Sequence, residues 1–206
     1  MNNVERLFRE RPVAADFADG YLSYLSHVFA RIDRDAVAAF IEVLERARTS
    51  GGTVFFCGNG GSAATASHFQ NDLTRWRTNP MRVVSLTDNV AVITALGNDY
   101  GYERIFVMQL EPLLTAGDVV VAISASGNSP NVVNAIEFAR EREATTVGLT
   151  GFDGGRLGEL CDIHVHVPSA RGEYGPVEDA HMVLDHLTMS YLWEKWAGEG
   201  RDDGES

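Results

Sequence analysis

Cysteine is scarce in this 206-residue chain: only Cys57 and Cys161 occur, and they form no CxxC pair. Two isolated thiols beside apolar runs exclude a disulfide framework and are expected to be buried and free, in a reducing compartment. Positive charge is also short. Lys and Arg number 17 against 29 Asp and Glu, a formal charge of −12. That balance repels nucleic-acid backbones and anionic membranes at long range, so any phosphate must be bound locally. No basic block offsets it, because Arg140 and Arg142 alternate with Glu137, Glu141 and Glu143, the pattern of a solvated helix face. Long apolar runs are missing too; none approaches the roughly 20 residues that span a bilayer. Met1 to Arg11 is polar and charged, without the apolar stretch of a signal peptide. A cytoplasmic location is expected, with neither nucleic acid nor membrane as a partner.

What is present is a globular composition, 45% apolar and 22% charged, long enough for one large domain with a proper core. The first fifty residues read as helical: Phe17, Tyr21, Tyr24, Leu25, Val28 and Phe29 recur at three- and four-residue spacing, as do Val37, Phe40, Ile41, Val43 and Leu44. Gly51-Gly52 stops this second run. Short apolar strands follow at Thr53–Cys57, Arg82–Leu86, Asp118–Ser124, Thr145–Thr150 and Ile163–Val167. Helical stretches lie between and after them, at Ala63–Trp76, from Pro130 onward and at Val177–Trp196. Continuous apolar strands separated by helices predict an α/β fold, a doubly wound open parallel sheet of five strands flanked by helices. One domain is expected over 1–197, with N-terminal helices over 1–50, the α/β core and last helix over 51–197, and a disordered Gly- and acid-rich tail over 198–206.

Two strand-to-helix turns carry unusual residues. In an open parallel sheet, ligands bind at the carboxyl ends of the strands. The first turn is Gly58-Asn59-Gly60-Gly61-Ser62, where glycines let backbone N–H groups approach an anion and Ser62 adds a hydroxyl. The second, Ser124-Ala125-Ser126-Gly127-Asn128-Ser129, offers three hydroxyls just before a helix. Hydroxyls, amides and a helix dipole can bind a dianion without Lys or Arg. Either turn alone also fits a tight turn with an N-cap serine; two in one domain point to phosphate. The first is not a dinucleotide fingerprint, because Ala63 stands where its last glycine belongs, and it lacks the lysine of a P-loop.

The strings GNGGSAATASHF, LGNDYG (96–101), ISASGNSPNV (123–132) and GLTGFDGG (148–155) resemble the sugar isomerase (SIS) domain family, and within it the phosphoheptose isomerase branch. The resemblance runs in order along almost the whole chain. It implies conversion of D-sedoheptulose 7-phosphate to D-glycero-D-manno-heptose 7-phosphate through an enediol. It also implies phosphate binding by Ser62, Ser124, Ser126 and Ser129 with the backbone of Gly60, Gly61 and Ala125, a sugar site lined by Asn59 and Asp99, and a homotetramer with active sites between subunits. The N-terminal helices, apolar on more than one side, fit burial in such an oligomer. Two alternatives stay open: an isomerase of another ketose phosphate, and a non-catalytic binding module like the replication-initiator-binding branch of the same family.

Aldose–ketose isomerisation needs a base at C–H, an acid at the carbonyl oxygen and exclusion of water. His68 and Asp72, four apart, share a helix face, and the last helix carries Glu178, Asp179, His181, Asp185 and His186. The resemblance implies an active site of His68, Asp72, Glu178 and His186, with Asp72 and His186 moving protons and the four holding one zinc ion per subunit. Asp72 stands where the family has Glu, and Glu178 where it has Gln; the extra carboxylate favours a divalent cation. The residues admit other sets. Asp179 and His186 lie nearly on one helical face, Glu178 is roughly 80° around from His186, and His181 and Asp185 form another four-residue pair. For Asp185 the competing reading is an exposed helix charge.

Other departures from the family cluster at the substrate end. A Gly-Arg pair is replaced by Thr74-Arg75-Trp76-Arg77, leaving Arg75 or Arg77 as substitutes, and an Asp-Arg-Ile-Gln-Glu run by Tyr174-Gly175-Pro176-Val177-Glu178, with Arg171 and Glu173 nearby. His164 and His166 alternate along a strand and read as structural; His27 reads as a packed or interface residue.

Overall fold

The structure is a computed structural model and describes residues 1–75 and 80–197. Arg77 and the tail 198–206 lie outside the described residues. Three helices come first: α1 (Asn3–Glu10), α2 (Ala14–Ala30) and α3 (Arg34–Ser50). The core then alternates β1 (Thr53–Gly58), α4 (Gly61–Leu73), β2 (Arg82–Ser85), α5 (Val90–Tyr100), a single 3-10 turn (Tyr102–Arg104), α6 (Val107–Leu110) and β3 (Val119–Ser124). It continues through α7 (Pro130–Glu141), β4 (Thr145–Thr150), α8 (Gly155–Leu160), β5 (Ile163–His166) and the long α9 (Tyr174–Trp196).

All neighbouring strands are parallel, in the order β2-β1-β3-β4-β5. The five strands and the α/β class match the expectation. Side chains alternate between two cores, as the two-residue period of a strand requires. Val54, Phe56, Val119, Val121 and Ile123 face one cluster with residues of α3, α4 and α9. Phe55, Cys57, Val120 and Ala122 face the other, with residues of α7 and α8 and with Leu110 of α6. Both faces of the sheet are therefore covered, which is why the strands read as unbroken apolar runs.

The N-terminal region differs from the two-helix expectation. α1 is a third helix, closed by a capping box in which the Asn2 side chain accepts from Glu5 N and Glu5 accepts from Asn2 N. None of its residues is fully buried, but Val4, Leu7 and Phe8 form a short apolar stripe, with Leu7 over Gly20 and Phe8 edge-on to Phe17. α3 also departs from the expected role. Its Val37, Phe40, Ile41, Val43 and Leu44 are buried within this chain, so it covers the sheet here. By contrast α2 buries only Gly20 and Val28. Tyr21 donates to Asp179 at 2.6 Å and Tyr24 to Glu173 at 2.5 Å, fastening α2 to the start of α9. His27 is exposed on α2, bonded to its own Ser23 carbonyl.

The strand order reverses between β1 and β3, the topological switch point of a doubly wound sheet. Gly58 pairs with Ile123 in register, so Asn59 leaves the sheet beside Ser124, the last residue of β3.

Candidate active site

At that switch point lies a cavity of about 130 Å³, lined among others by Asn59, Ser62, Ser124, Ser126, Ser129 and Glu178. Gly60 caps α4 with φ 56° and ψ −123°, a conformation open essentially to glycine, and this places Ser62 in the first turn of the helix. A Cβ on Gly61 would collide with the Glu178 carboxylate, so α4 and α9 meet closely at this end. On the other side, Ser124 Oγ stands 3.5 Å from Ser126 Oγ and 3.4 Å from Ser129 Oγ. Ser129 is the N-cap of α7 but its hydroxyl makes no capping bond, with Pro130 occupying the first turn. The cavity thus draws on the N-terminal ends of α4, α7 and, through Tyr174 and Glu178, α9. Their dipoles and free N–H groups favour an anion there.

Asn59 does not stand alone. It exchanges amide hydrogen bonds with Asn131 at 2.9 and 2.8 Å, and its Oδ1 also accepts from the Tyr102 hydroxyl at 2.9 Å. Asn131 is 1% exposed. No local pattern marks Tyr102 for the site; Asn131 is marked only by its place in the ISASGNSPNV string, and Tyr174 only as part of the run that departs from the family. Asp99 is exposed in the last turn of α5, bonded to Asn98, and does not line the cavity within one chain.

Farther along the same two helices a second constellation forms. Ligand-type atoms of His68, Asp72, Asp185 and His186 all lie within 4.8 Å of one another. His68 Nε2 is 3.1 Å from His186 Nε2, 3.6 Å from Asp72 Oδ2 and 4.0 Å from Asp185 Oδ2. Asn71 donates to the other Asp72 oxygen at 2.8 Å. His68 is 39% exposed, Asp72 13% and Asp185 0%, so the cluster is open on one side and sealed on the other. Burial, and then the nearby Asp72, push the Asp185 carboxyl up to about 8. Two imidazoles and two carboxylates at this spacing could hold a metal ion. The two Asp185 oxygens, buried and without any hydrogen-bond partner, fit that reading.

Here the placement departs from the sequence expectation in one member. His68, Asp72 and His186 come together, but Glu178 is outside the cluster and lines the serine cavity instead. Glu178 precedes Asp185 by two helical turns, about 10 Å along the axis, and so stays at the first turns of α9. Burial, then Asp179, raise its carboxyl above the usual range. Asp185 is likewise not the exposed helix charge of the alternative reading; α9 is buried along Val177, Ala180, His181, Leu184, Asp185 and Thr188, packed on α4 and, through His181, on the end of β4.

Several other candidates lie outside both the cavity lining and the cluster. Glu173 is 1% exposed and accepts from Asn3 N, Tyr24 and Ala170 N, which removes it from the substrate end. Arg75 and Arg171 are exposed. His164 and His166 both contact the Thr150 hydroxyl, at 2.6 and 3.2 Å, and His181 Nε2 donates to the Thr150 carbonyl at 3.3 Å. Cys57 is buried and Cys161 half-buried, both free, and burial pushes the Cys161 thiol up to about 12.

Comparison with known proteins bears on this geometry. A family model described as SIS domain matches residues 16–151, a span that ends before α9. The phosphoheptose isomerase of Trichlorobacter lovleyi is 40% identical over 183 residues, covering 84% of this chain and 93% of that protein. That of Aliarcobacter butzleri is 45% identical over 146 residues, covering 69% and 76%. The solved phosphoheptose isomerase from Neisseria gonorrhoeae superposes with a TM-score of 0.79 at 30% identity, covering 87% of this chain and 99% of that one.

Proposed function

The chain belongs to the SIS domain family, and from that membership we infer that it is a phosphoheptose isomerase, converting D-sedoheptulose 7-phosphate to D-glycero-D-manno-heptose 7-phosphate. One observation carries the reading: the serine cavity and the His/Asp cluster are built on the same two helices, α4 and α9, at different heights. Ser62 and His68 are separated by about 9 Å along α4. That span suits a sugar held by its phosphate at one end and reacting at the other.

In this reading the phosphate rests among Ser62, Ser124, Ser126 and Ser129, with the Gly60, Gly61 and Ala125 backbone and the helix N-termini facing it. Asn59, fixed by Asn131 and Tyr102, orients a sugar hydroxyl. Asp72 removes the proton from C1, directly or through a water, while His186 gives a proton to the C2 carbonyl oxygen. The enediol then collapses: Asp72, whose proton exchanges with solvent, delivers a proton to C2, the C1 hydroxyl gives its proton to His186, and the aldehyde forms. Zinc, when bound by His68, Asp72 and His186, would supply Lewis-acid polarisation of the substrate oxygens.

The chain is further proposed to act as a homotetramer, completing its sites between subunits. α5 is apolar over Val90–Leu96 yet buries no residue within the chain, and Leu22, Val183, Leu187 and Tyr191 are exposed apolar side chains on α2 and α9. Asp99, on α5, would reach a sugar in that arrangement only from a neighbouring subunit. No helix among the described residues is long and apolar enough to cross a membrane; a cytoplasmic location accords with the two free thiols.

The test is turnover of sedoheptulose 7-phosphate by chelator-treated protein, repeated after adding zinc. Appearance of the aldoheptose phosphate supports the isomerase, and a zinc requirement supports the metal. Ketose phosphate bound but unchanged under both conditions contradicts the reaction.

A further inference from the structure

We propose that Asp185, and not Glu178, completes the metal-binding set with His68, Asp72 and His186. The proposal rests on the reading that this cluster holds a divalent cation. A carboxylate that is 0% exposed with both oxygens unpartnered is a costly thing to bury, and it is retained where a cation or a full set of hydrogen bonds compensates it. Among the described residues no donor reaches it, whereas three ligand-type side chains do converge on it.

The spacing is that of a tetrahedral site. Ligand atoms about 2.1 Å from a tetrahedral zinc ion lie about 3.4 Å from one another. From His68 Nε2 the other three atoms stand at 3.1, 3.6 and 4.0 Å, a spread around that value which small side-chain rotations close. Charge balances as well: two neutral imidazoles and two carboxylates neutralise a dication and relieve the repulsion between Asp72 and Asp185. Glu178 meanwhile is held over Gly61 at the serine cavity, about 10 Å down the helix from Asp185. The placement divides two acidic residues of one helix between two tasks.

A competing account treats Asp185 as part of a purely structural polar stripe. Thr188 Oγ1 and His181 Nδ1, on the same side of α9, are also buried and unpartnered, and buried water could satisfy all three. The two accounts separate in zinc binding measured on the intact protein by competition with a chromophoric chelator, together with the zinc-induced shift in Tm. For Asp185→Asn the proposal predicts zinc affinity lower by about 100-fold or more and loss of the zinc-induced Tm shift. The apo Tm would be unchanged or raised, since a buried carboxyl without a hydrogen-bond partner is replaced by a neutral amide. Glu178→Gln keeps zinc affinity within about threefold of the parent.

Zinc binding that survives Asp185→Asn, or that is lost in Glu178→Gln, overturns the assignment while leaving a metal site in place. A parent protein that binds no zinc at all overturns the underlying reading and this assignment together. Should Asp185→Asn fail to fold, the Glu178→Gln result and the visible spectrum of the cobalt-loaded parent decide. Intense tetrahedral bands unchanged by Glu178→Gln uphold Asp185, and bands altered by it contradict it.

Discussion

The two ends of the candidate site are built on opposite principles. At the serine cavity the groups are neutral hydroxyls and backbone amides at three helix N-termini, set by turns that leave the sheet side by side. In the α4/α9 cluster the groups are titratable side chains in helix middles, drawn from segments more than a hundred residues apart. The first end suits holding a dianion without changing it, because among the described residues that line it Glu178 alone carries a carboxyl or imidazole group. The second suits moving protons or holding a cation. Under the proposed function the difference makes binding and chemistry separable, and substitutions should divide along that line.

The largest expected effect is at the cluster. Asp72→Asn or His186→Ala should lower kcat about 1,000-fold while KM changes little, as steady-state kinetics would show. A matching rise in KM would erase the proposed division. His181, on α9 between the two ends, reports on stability. Burial lowers its folded-state pKa from the usual 6.5 to about 4. Between those values the unfolded chain binds more protons, so stability is full above pH 6.5 and falls by about 3 kcal/mol as the pH drops toward 4. His181→Gln should flatten that part of the pH dependence in denaturant melts.

At the serine cavity the effects should be smaller and confined to binding. Ser124→Ala or Ser126→Ala should raise KM about tenfold each, with kcat within a factor of about three, each losing one hydrogen bond to a charged group. The smallest effect sharpens the comparison most. Glu178 places a carboxylate beside the anion, so Glu178→Gln should lower KM roughly threefold as one repulsion is removed. An increase would mean that Glu178 contacts the sugar rather than merely facing its phosphate.

The same contrast governs what could be read from the sequence. The sheet was legible because strands buried on both faces are continuous apolar runs, and the serine turns because each is a contiguous string. The places of Glu178 at the cavity and of Asp185 in the cluster are hidden in the sequence for one reason. Their roles depend on how far along α9 each lies relative to α4, and on which stripe of α9 is buried, and neither is encoded in local periodicity. α1 is hard to read because its apolar stripe, Val4, Leu7 and Phe8, is shorter than the window of about 11 residues over which a helical period is recognised. The Asn59–Asn131–Tyr102 network was invisible because its members lie 72 and 43 residues apart in the chain. Asp99 lies outside the cavity of one chain, although the resemblance implies that it lines the sugar site.

The most direct test of the account follows sedoheptulose 7-phosphate by NMR in deuterated water, with the parent protein and with Asp72→Asn. The account predicts an aldoheptose phosphate carrying deuterium at C2 from the parent. From the variant it predicts ketose phosphate still bound, by its phosphorus signal, but neither exchanged nor converted. Conversion by the variant at the parent's rate, or failure of the parent to convert or exchange a ketose that it binds, would contradict it.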